Sequence, residues 1–111
     1  MAKSTPLPGK NVRGSASGRP IMALLDLLGR RWTLRILWEL SAGAQTFRDL
    51  QTACDGASPS VINTRLKELR EARLVIHSAG EGYQLTSQAS ELVEKFLTLN
   101  DWLDSWARSL K

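Results

Sequence analysis

The sequence predicts a small, mainly α-helical α+β domain, and three observations lead to this fold class. The chain has 111 residues, 42% apolar and 23% charged, which suits one domain with one core. Apolar residues recur at helical spacing, as in Ile62, Leu66 and Leu69. Two short strand-like runs flank a turn at residues 79–82, which indicates a hairpin.

The N-terminal segment, residues 1–19, is expected to be a disordered basic arm before a domain over residues 20–111. It holds three glycines, two prolines and three serines, with few apolar anchors. A serine-rich, acid-free segment also fits a targeting peptide, and this alternative stays open. The start of the chain has no apolar signal region, and no stretch is long enough to span a membrane. A cytoplasmic protein is therefore expected.

Two helices are expected at the start of the domain. The first begins at Pro20, which suits the first helical position, and ends at Gly29. Its apolar stripe consists of Ile21, Leu24, Leu25 and Leu28. The second covers residues 31–41, and its apolar residues recur in steps of three, at Leu34, Leu37 and Leu40.

Two further helices have predicted side-chain caps. Thr46 can cap a short third helix over residues 47–53. Ser58 is the expected N-cap of a fourth helix over about residues 59–72, with proline in its first turn. The buried stripe of this fourth helix is Ile62, Leu66 and Leu69.

A hairpin and a long helix complete the chain. Residues 74–77 and 83–85 are the expected strands, and residues 45–47 are extended or a very short strand. Thr86 caps a last helix over residues 87–110. A helix, a tight turn, a second helix and then a hairpin is the order of a winged helix-turn-helix, which usually places its second helix in the major groove.

The fourth helix carries the predicted DNA-binding face. Opposite its buried stripe, at 100° per residue, lie short polar side chains and one cation, which suit base edges. These residues are Ser60, Asn63, Thr64 and Lys67. Ser58, Arg48 and Arg65 are the expected phosphate contacts. Any solvated helix face can hold such residues, and the surrounding architecture favours the DNA-binding interpretation.

The charge is distributed unevenly along the chain. The net charge is +4, with +4 on residues 1–25, +2 on residues 26–75 and −2 on residues 76–111. The first two segments are therefore the parts expected to face a polyanion. The wing has no lysine or arginine between Ile76 and Tyr83, and the N-terminal arm could replace it as a minor-groove contact.

The last helix carries a heptad seam that predicts a homodimer. The seam residues of the expected interface are Leu92, Phe96, Leu99, Leu103, Trp106 and Leu110. A two-fold dimer would present two reading helices to the halves of an inverted repeat of double-stranded DNA. An amphipathic helix that lies on its own domain is the alternative.

Catalytic and metal sites are not expected, and no cofactor is implied. The chain has one cysteine, one histidine, no glycine-rich phosphate loop and no nucleophile–base pair, so enzyme activity is not expected. Cys54 is interpreted as a small buried hydrophobe, with a redox sensor as the alternative. Trp38, Trp102 and Trp106 are interpreted as interface packing, with a pocket for a small-molecule effector as the alternative.

Six segments in order carry a resemblance to a known family. They are residues 25–33 (LDLLGRRWT), 36–40 (ILWEL), 47–50 (FRDL), 58–69 (SPSVINTRLKEL), 74–75 (LV) and 83–86 (YQLT). Together they resemble the HxlR-type winged-helix transcriptional regulators, relatives of the MarR group, over roughly residues 20–110. The resemblance implies a dimeric DNA-binding regulator of bacterial or archaeal type, with the fourth helix as the reader.

The chain departs from this family pattern at three places. Members often carry a cysteine just before the first helix, where residues 18–21 read GRPI, so thiol sensing is not implied there. The usual Gly-Gly-Lys-Trp-like segment is GRRW at residues 29–32, which keeps the charge. The wing is shorter than usual. A protein-interaction module, or an effector-sensing or redox-sensing module with weak or conditional DNA binding, therefore stays open as an alternative function.

Overall fold

The chain follows the predicted order of elements up to its last helix. The structure is a computed structural model that describes residues 5–9 and 18–111. The elements are α1 (Pro20–Leu28), α2 (Thr33–Leu40), α3 (Phe47–Ala53), α4 (Pro59–Glu71), β1 (Val75–Ser78), β2 (Gly82–Leu85), α5 (Ser87–Leu97) and α6 (Asn100–Ser109). The fold is mostly helical with a small antiparallel sheet, as predicted.

Three helices begin at the caps that the sequence predicts. The Thr46 hydroxyl accepts a hydrogen bond from the Asp49 amide at 3.1 Å, which starts α3. The Ser58 hydroxyl accepts one from the Val61 amide at 3.2 Å, which starts α4. Thr86 caps α5 in the same way. Each cap satisfies an amide that the first helical turn leaves without a partner.

The hydrophobic core is built around α4, and its predicted stripe is confirmed. Ile62, Leu66 and Leu69 are almost completely buried. They belong to one buried cluster with Leu27, Leu28, Ile36, Leu37, Leu40, Leu50, Cys54, Val75 and Val93, and Tyr83 and Leu85 of β2 pack against this cluster. Because this side of α4 is fixed in the core, the opposite side of the helix faces solvent.

The core-facing sides of α1 and α2 differ from the prediction. In α1 the buried residues are Ala23, Leu27 and Leu28, whereas Ile21 and Leu25 are exposed. In α2 Leu34 is exposed and Ile36 is fully buried. The buried arc through Ile36, Leu37 and Leu40 follows the 3.6-residue helical repeat, whereas a strict step of three turns away from the core. α2 also begins at Thr33 rather than residue 31, because Trp32 is left-handed, with φ 76°.

The hairpin is joined to the segment before α3 by a single bridge. His77 pairs with Tyr83 in the hairpin register. On its other side Tyr83 exchanges two backbone hydrogen bonds with Gln45, at 2.9 and 2.7 Å, so the short strand expected at residues 45–47 is confirmed at one residue. Gly82 is buried with φ +92°, and a Cβ there would collide with the Gln45 carbonyl. This close approach requires glycine.

The prediction of one continuous last helix is wrong. α5 ends at Leu97 and α6 begins at Asn100. Between them the Thr98 hydroxyl donates to the Lys95 carbonyl at 2.7 Å, and the Leu99 amide bonds three residues back, to Phe96. A threonine that bonds the preceding turn and a tightened i→i−3 bond both interrupt α-helical geometry.

The described parts of residues 1–19 fold back on themselves. Thr5 and Pro6 are buried, and the Gly9 amide donates to the Gly18 carbonyl at 2.9 Å. The rest of the predicted basic arm, residues 1–4 and 10–17, lies outside the described residues. Among the described helices, none has the length and apolar character needed to cross a membrane.

Candidate nucleic-acid interface

The outer face of α4 presents the predicted base-reading residues to solvent. Ser60, Asn63, Thr64 and Lys67 are all exposed, and the buried stripe lies on the opposite side of the helix. Four residues that lie within two turns of one helix can share one groove of DNA. The structure therefore brings these four side chains together on one open surface.

The hydrogen-bonding state of these side chains determines what they can offer a ligand. The Thr64 hydroxyl donates to the Ser60 carbonyl at 2.9 Å, so its oxygen remains available as an acceptor. Asn63 and Lys67 make no side-chain hydrogen bond or ion pair with any other described residue. An amide that donates and accepts, and an ammonium that only donates, are therefore both free to bind.

Ser58 and Arg48 lie beside this face and are also exposed. The Ser58 oxygen accepts from the Val61 amide, which leaves its hydroxyl proton for an external acceptor. Ser58 is at the N-terminus of α4, where helix polarity favours an anion. Arg48 is on α3, in the first turn of the helix that precedes the turn to α4. Both positions suit phosphate oxygens.

Arg65 is placed differently from the other candidates. Its side chain is only 19% exposed, and its guanidinium lies 3.2 Å from a carboxylate oxygen of Glu68. The structure therefore brings Arg65 into a buried ion pair and does not bring it onto the open face with Ser60, Asn63 and Lys67.

The sequence reasoning missed a cluster of four charged side chains at this place. Arg30, in the turn after α1, donates to the second oxygen of Glu68, and its guanidinium is 3.9 Å from Asp26. The side chains of Arg30 and Glu68 are only 12% and 7% exposed. The partners are 38 residues apart on different elements, so no local spacing signals the contact. We call Asp26, Arg30, Arg65 and Glu68 the charged cluster.

An open cleft of about 1020 Å³ separates α1 and the α1–α2 turn from the first half of α4. The charged cluster lines it, together with Arg31 and Trp32 on one wall and Ser58 and Thr64 on the other. The exposed Arg31 guanidinium lies over the Trp32 ring, 5.6 Å from its centroid. The cleft thus opens next to the predicted reading face.

The wing contributes aromatic surface and no strong cation. The His77 ring stacks on Tyr83, with centroids 4.3 Å apart and an angle of 19° between the rings. Glu81 is the charged residue at the hairpin turn, and its carboxylate accepts from the Gln84 amide. A hairpin with this composition has little to hold a phosphate.

The predicted dimer residues form an apolar surface on α5 and α6. Phe96, Leu99, Leu103, Trp106 and Leu110 are exposed, and Leu92 is partly buried. No residue of α6 is buried. Trp102 stacks on Trp106, with centroids 5.7 Å apart. α2 extends this surface with exposed Leu34 and Trp38, which line a groove of about 380 Å³ against Phe96, Leu99 and Leu103.

Cys54 lies inside the core, which agrees with the interpretation as a small hydrophobe. Burial raises the pKa of the Cys54 thiol, an effect that nearby Arg35 opposes and Glu39 reinforces. A reactive thiol needs access and a lowered pKa, and this one has neither. No group of metal-ligating side chains occurs among residues 5–9 and 18–111.

Comparisons with known proteins agree with this geometry. A family model described as "HxlR-like helix-turn-helix" matches residues 27–111. An uncharacterised HTH-type transcriptional regulator of Methanocaldococcus jannaschii is 29% identical over 89 residues, which cover 77% of this chain and 83% of that protein. A second uncharacterised HTH-type regulator, YvaP of Bacillus subtilis, is 27% identical over 88 residues, 74% of this chain and 82% of that protein.

Solved structures share the same winged-helix fold. Quinone-bound YodB of B. subtilis superposes with a TM-score of 0.71 at 27% identity, over 77% of this chain and 94% of YodB. A protein of Thermoplasma volcanium, described as "a possible HxlR family transcriptional factor", superposes with a TM-score of 0.67 at 27% identity, over 77% of this chain and 82% of its own.

Proposed function

Because the chain belongs to the HxlR-like helix-turn-helix family of transcriptional regulators, we propose that it is a homodimeric, sequence-specific DNA-binding regulator. In this proposal α4 enters the major groove in each half of an inverted repeat. The observation that carries the proposal is the exposed polar face of Ser60, Asn63, Thr64 and Lys67, held outward by the buried stripe behind it.

The four side chains match the chemistry of base edges in the major groove. The Asn63 amide can donate to and accept from adenine at the same time, and the Lys67 ammonium can donate to the two acceptors of guanine. The Thr64 oxygen can accept from an amino group, since its proton is directed to the Ser60 carbonyl. These contacts supply the proposed sequence preference.

Phosphate contacts would fix the register of α4 on the duplex. Ser58 and Arg48 are the proposed contacts, from the start of α4 and from α3. Arg65 can take part only through the donors that its pairing with Glu68 leaves free. The weakly charged wing adds little, so we expect a compact footprint around each reading helix.

Dimerisation through α5 and α6 is the second part of the proposal. The apolar side chains there are 37–68% exposed, so burial would give each a part of the roughly 1.5–3 kcal/mol that complete burial supplies, about 1 kcal/mol. Exposed Ile21 and Leu25 of α1 offer further apolar surface for the partner. A dimer bound at a promoter would act sterically, by blocking or recruiting polymerase.

A second candidate function is a protein-interaction module on a winged-helix scaffold. The absence of lysine and arginine between Ile76 and Tyr83 favours it. Salt separates the two candidates, because affinity that depends on phosphate contacts falls steeply as salt rises. Reaction of a quinone with Cys54 is not proposed, because this cysteine is buried and burial raises its thiol pKa.

Selection of bound duplexes from a random DNA library tests the proposal. The purified protein should enrich an inverted repeat at moderate salt. Asn63→Ala and Lys67→Ala should each weaken binding to the enriched site by roughly 1–3 kcal/mol, about 5- to 150-fold, and relax the preference at one base pair.

Lys95→Ala is the matched control, since Lys95 is an exposed lysine on α5, away from α4. It should leave binding unchanged. Failure to enrich any sequence, together with loss of duplex binding at physiological salt, would replace this proposal with the protein-interaction module. Unchanged binding in both α4 variants would show that α4 is not the reading helix.

A further inference from the structure

The charged cluster links α1 and α4 across the cleft, in addition to the apolar core that both helices share. Glu68 is on the inner side of α4, and one of its oxygens faces Arg65 of the same helix. Its other oxygen accepts from Arg30, which belongs to the turn after α1 and also faces Asp26 of α1. Two carboxylates and two guanidinium groups thus span the floor of the cleft and balance in charge.

A buried ion pair is weak evidence for stability, and in some proteins such groups serve to specify one geometry. Removing charges from water is costly, and the cost is recovered only when donors and acceptors meet well. A pair of apolar surfaces can slide, whereas a guanidinium held between two carboxylates loses its partners if either helix moves. The cluster therefore restricts how α4 can rotate or shift relative to α1.

α1 also contributes to the proposed dimer surface. Ile21 and Leu25 are exposed on its outer side, whereas Ala23 and Leu27 anchor it in the core. In a dimer that uses α1, the contacts of Arg30 with Asp26 and Glu68 would be a polar link between the helix that meets the partner chain and α4.

We propose that Arg30 and Glu68 are positioning residues that set the placement of α4 relative to the dimer axis, and thereby select the spacing between operator half-sites. This inference rests on the proposed function. Arg30 is not assigned a phosphate contact, because its side chain is 12% exposed and its guanidinium faces two carboxylates.

The test compares operators that differ only in spacing. The probes are the inverted repeat enriched by the wild-type protein and two versions with the central spacer changed by one base pair. For Arg30→Met and Glu68→Gln, affinity for the original spacing should fall about tenfold. Affinity for the altered spacers should change much less, so spacing discrimination falls. The salt slope should stay as in the wild type, since no phosphate contact is lost.

Two controls separate positioning from general destabilisation. Glu39→Gln removes the exposed ion pair between Arg35 and Glu39 at 2.8 Å, which does not reach α4, and should leave spacing discrimination intact. Arg30→Lys keeps the charge and should restore part of the discrimination. Arg30→Met keeps the pair between Arg65 and Glu68, so it carries the test if Glu68→Gln does not fold.

Each result has one meaning. Unchanged spacing discrimination in Arg30→Met overturns this inference alone, while a repeat enriched by the wild type still supports the proposed function. A salt slope lower by about one in Arg30→Met also overturns it, because Arg30 would then be a phosphate contact. If the wild-type protein enriches no inverted repeat, the proposed function fails and this inference fails with it.

Discussion

α4 and α6 are of similar length and are both amphipathic, yet they differ completely in burial. In α4 the residues Ile62, Leu66 and Leu69 are shielded from water by the chain's own elements. In α6 no residue is buried, although the helix carries Trp102, Leu103 and Trp106. The chain thus completes the core behind the polar face of α4 by itself and leaves the apolar side of its last helix uncovered.

The largest expected effect tests the buried side of α4. Leu66→Ala should lower the free energy of unfolding by about 2–5 kcal/mol, because it opens a cavity in the core behind α4. Denaturant unfolding measures this loss, which should not depend on protein concentration. The matched control is Leu103→Ala. Leu103 is exposed in the single chain and would be buried only in the dimer, so the loss of stability in this variant should depend on protein concentration. Equal, concentration-independent losses in both variants would contradict the comparison.

An effect of intermediate size tests the exposed apolar side of α6. Trp106→Ala should raise the dissociation constant of the dimer roughly 30-fold, about 2 kcal/mol, because a large aromatic side chain leaves the interface. Sedimentation over a range of concentrations measures it. Arg108→Ala, an exposed charge on the same helix, should change little. If the wild-type protein sediments as a monomer at all concentrations, α6 does not form a dimer interface.

The smallest expected effect concerns Cys54, which lies in the same buried core as the stripe of α4. In the native protein the thiol should react slowly with a thiol reagent, whereas Ser105→Cys in a Cys54→Ala background should react at once, since Ser105 is exposed. Cys54→Ala should cost roughly 1 kcal/mol. Fast labelling of native Cys54 would show that the core opens readily.

The stability difference between wild type and Cys54→Ala should also depend on pH. The pKa of the thiol is raised in the folded state, so the wild-type contribution is fully present below the unfolded thiol pKa, about 8.5. Above it the unfolded thiol ionises first, and the advantage decreases as pH rises toward the folded pKa. Denaturant unfolding of both proteins between pH 7 and 10, as a rough range, measures this change. A difference that grows with pH would contradict the assignment.

Local rules predicted the parts of the fold that depend on short stretches of chain. The caps at Thr46 and Ser58 depend on residues three positions apart, and the outward face of α4 depends on one helical repeat. The burial of Ile36 in place of Leu34 depends on which side of α2 meets the core, and the helix period alone does not specify that side.

The remaining features come from tertiary contacts and competing local bonds. The pairing of Arg30 with Glu68 joins residues that share no repeat, so it could not be predicted from spacing. The interruption after α5 lies within an unbroken heptad pattern and depends on the hydroxyl bond of Thr98 to Lys95. The heptad correctly indicated apolar surface, and the backbone divided that surface between two helices.

The bridge between Gln45 and Tyr83 has an evolutionary consequence at Gly82. Both the positive φ and the nearness of the Gln45 carbonyl exclude any residue that carries a Cβ. A substitution of Gly82 is therefore not tolerated while residue 45 stays in place. Moving residue 45 away would break both bridge hydrogen bonds. In a saturation library, position 82 should accept no substitution, while the neighbouring exposed Glu81 should accept many. Such a contrast between adjacent positions would show the constraint that the close approach of Gln45 places on Gly82.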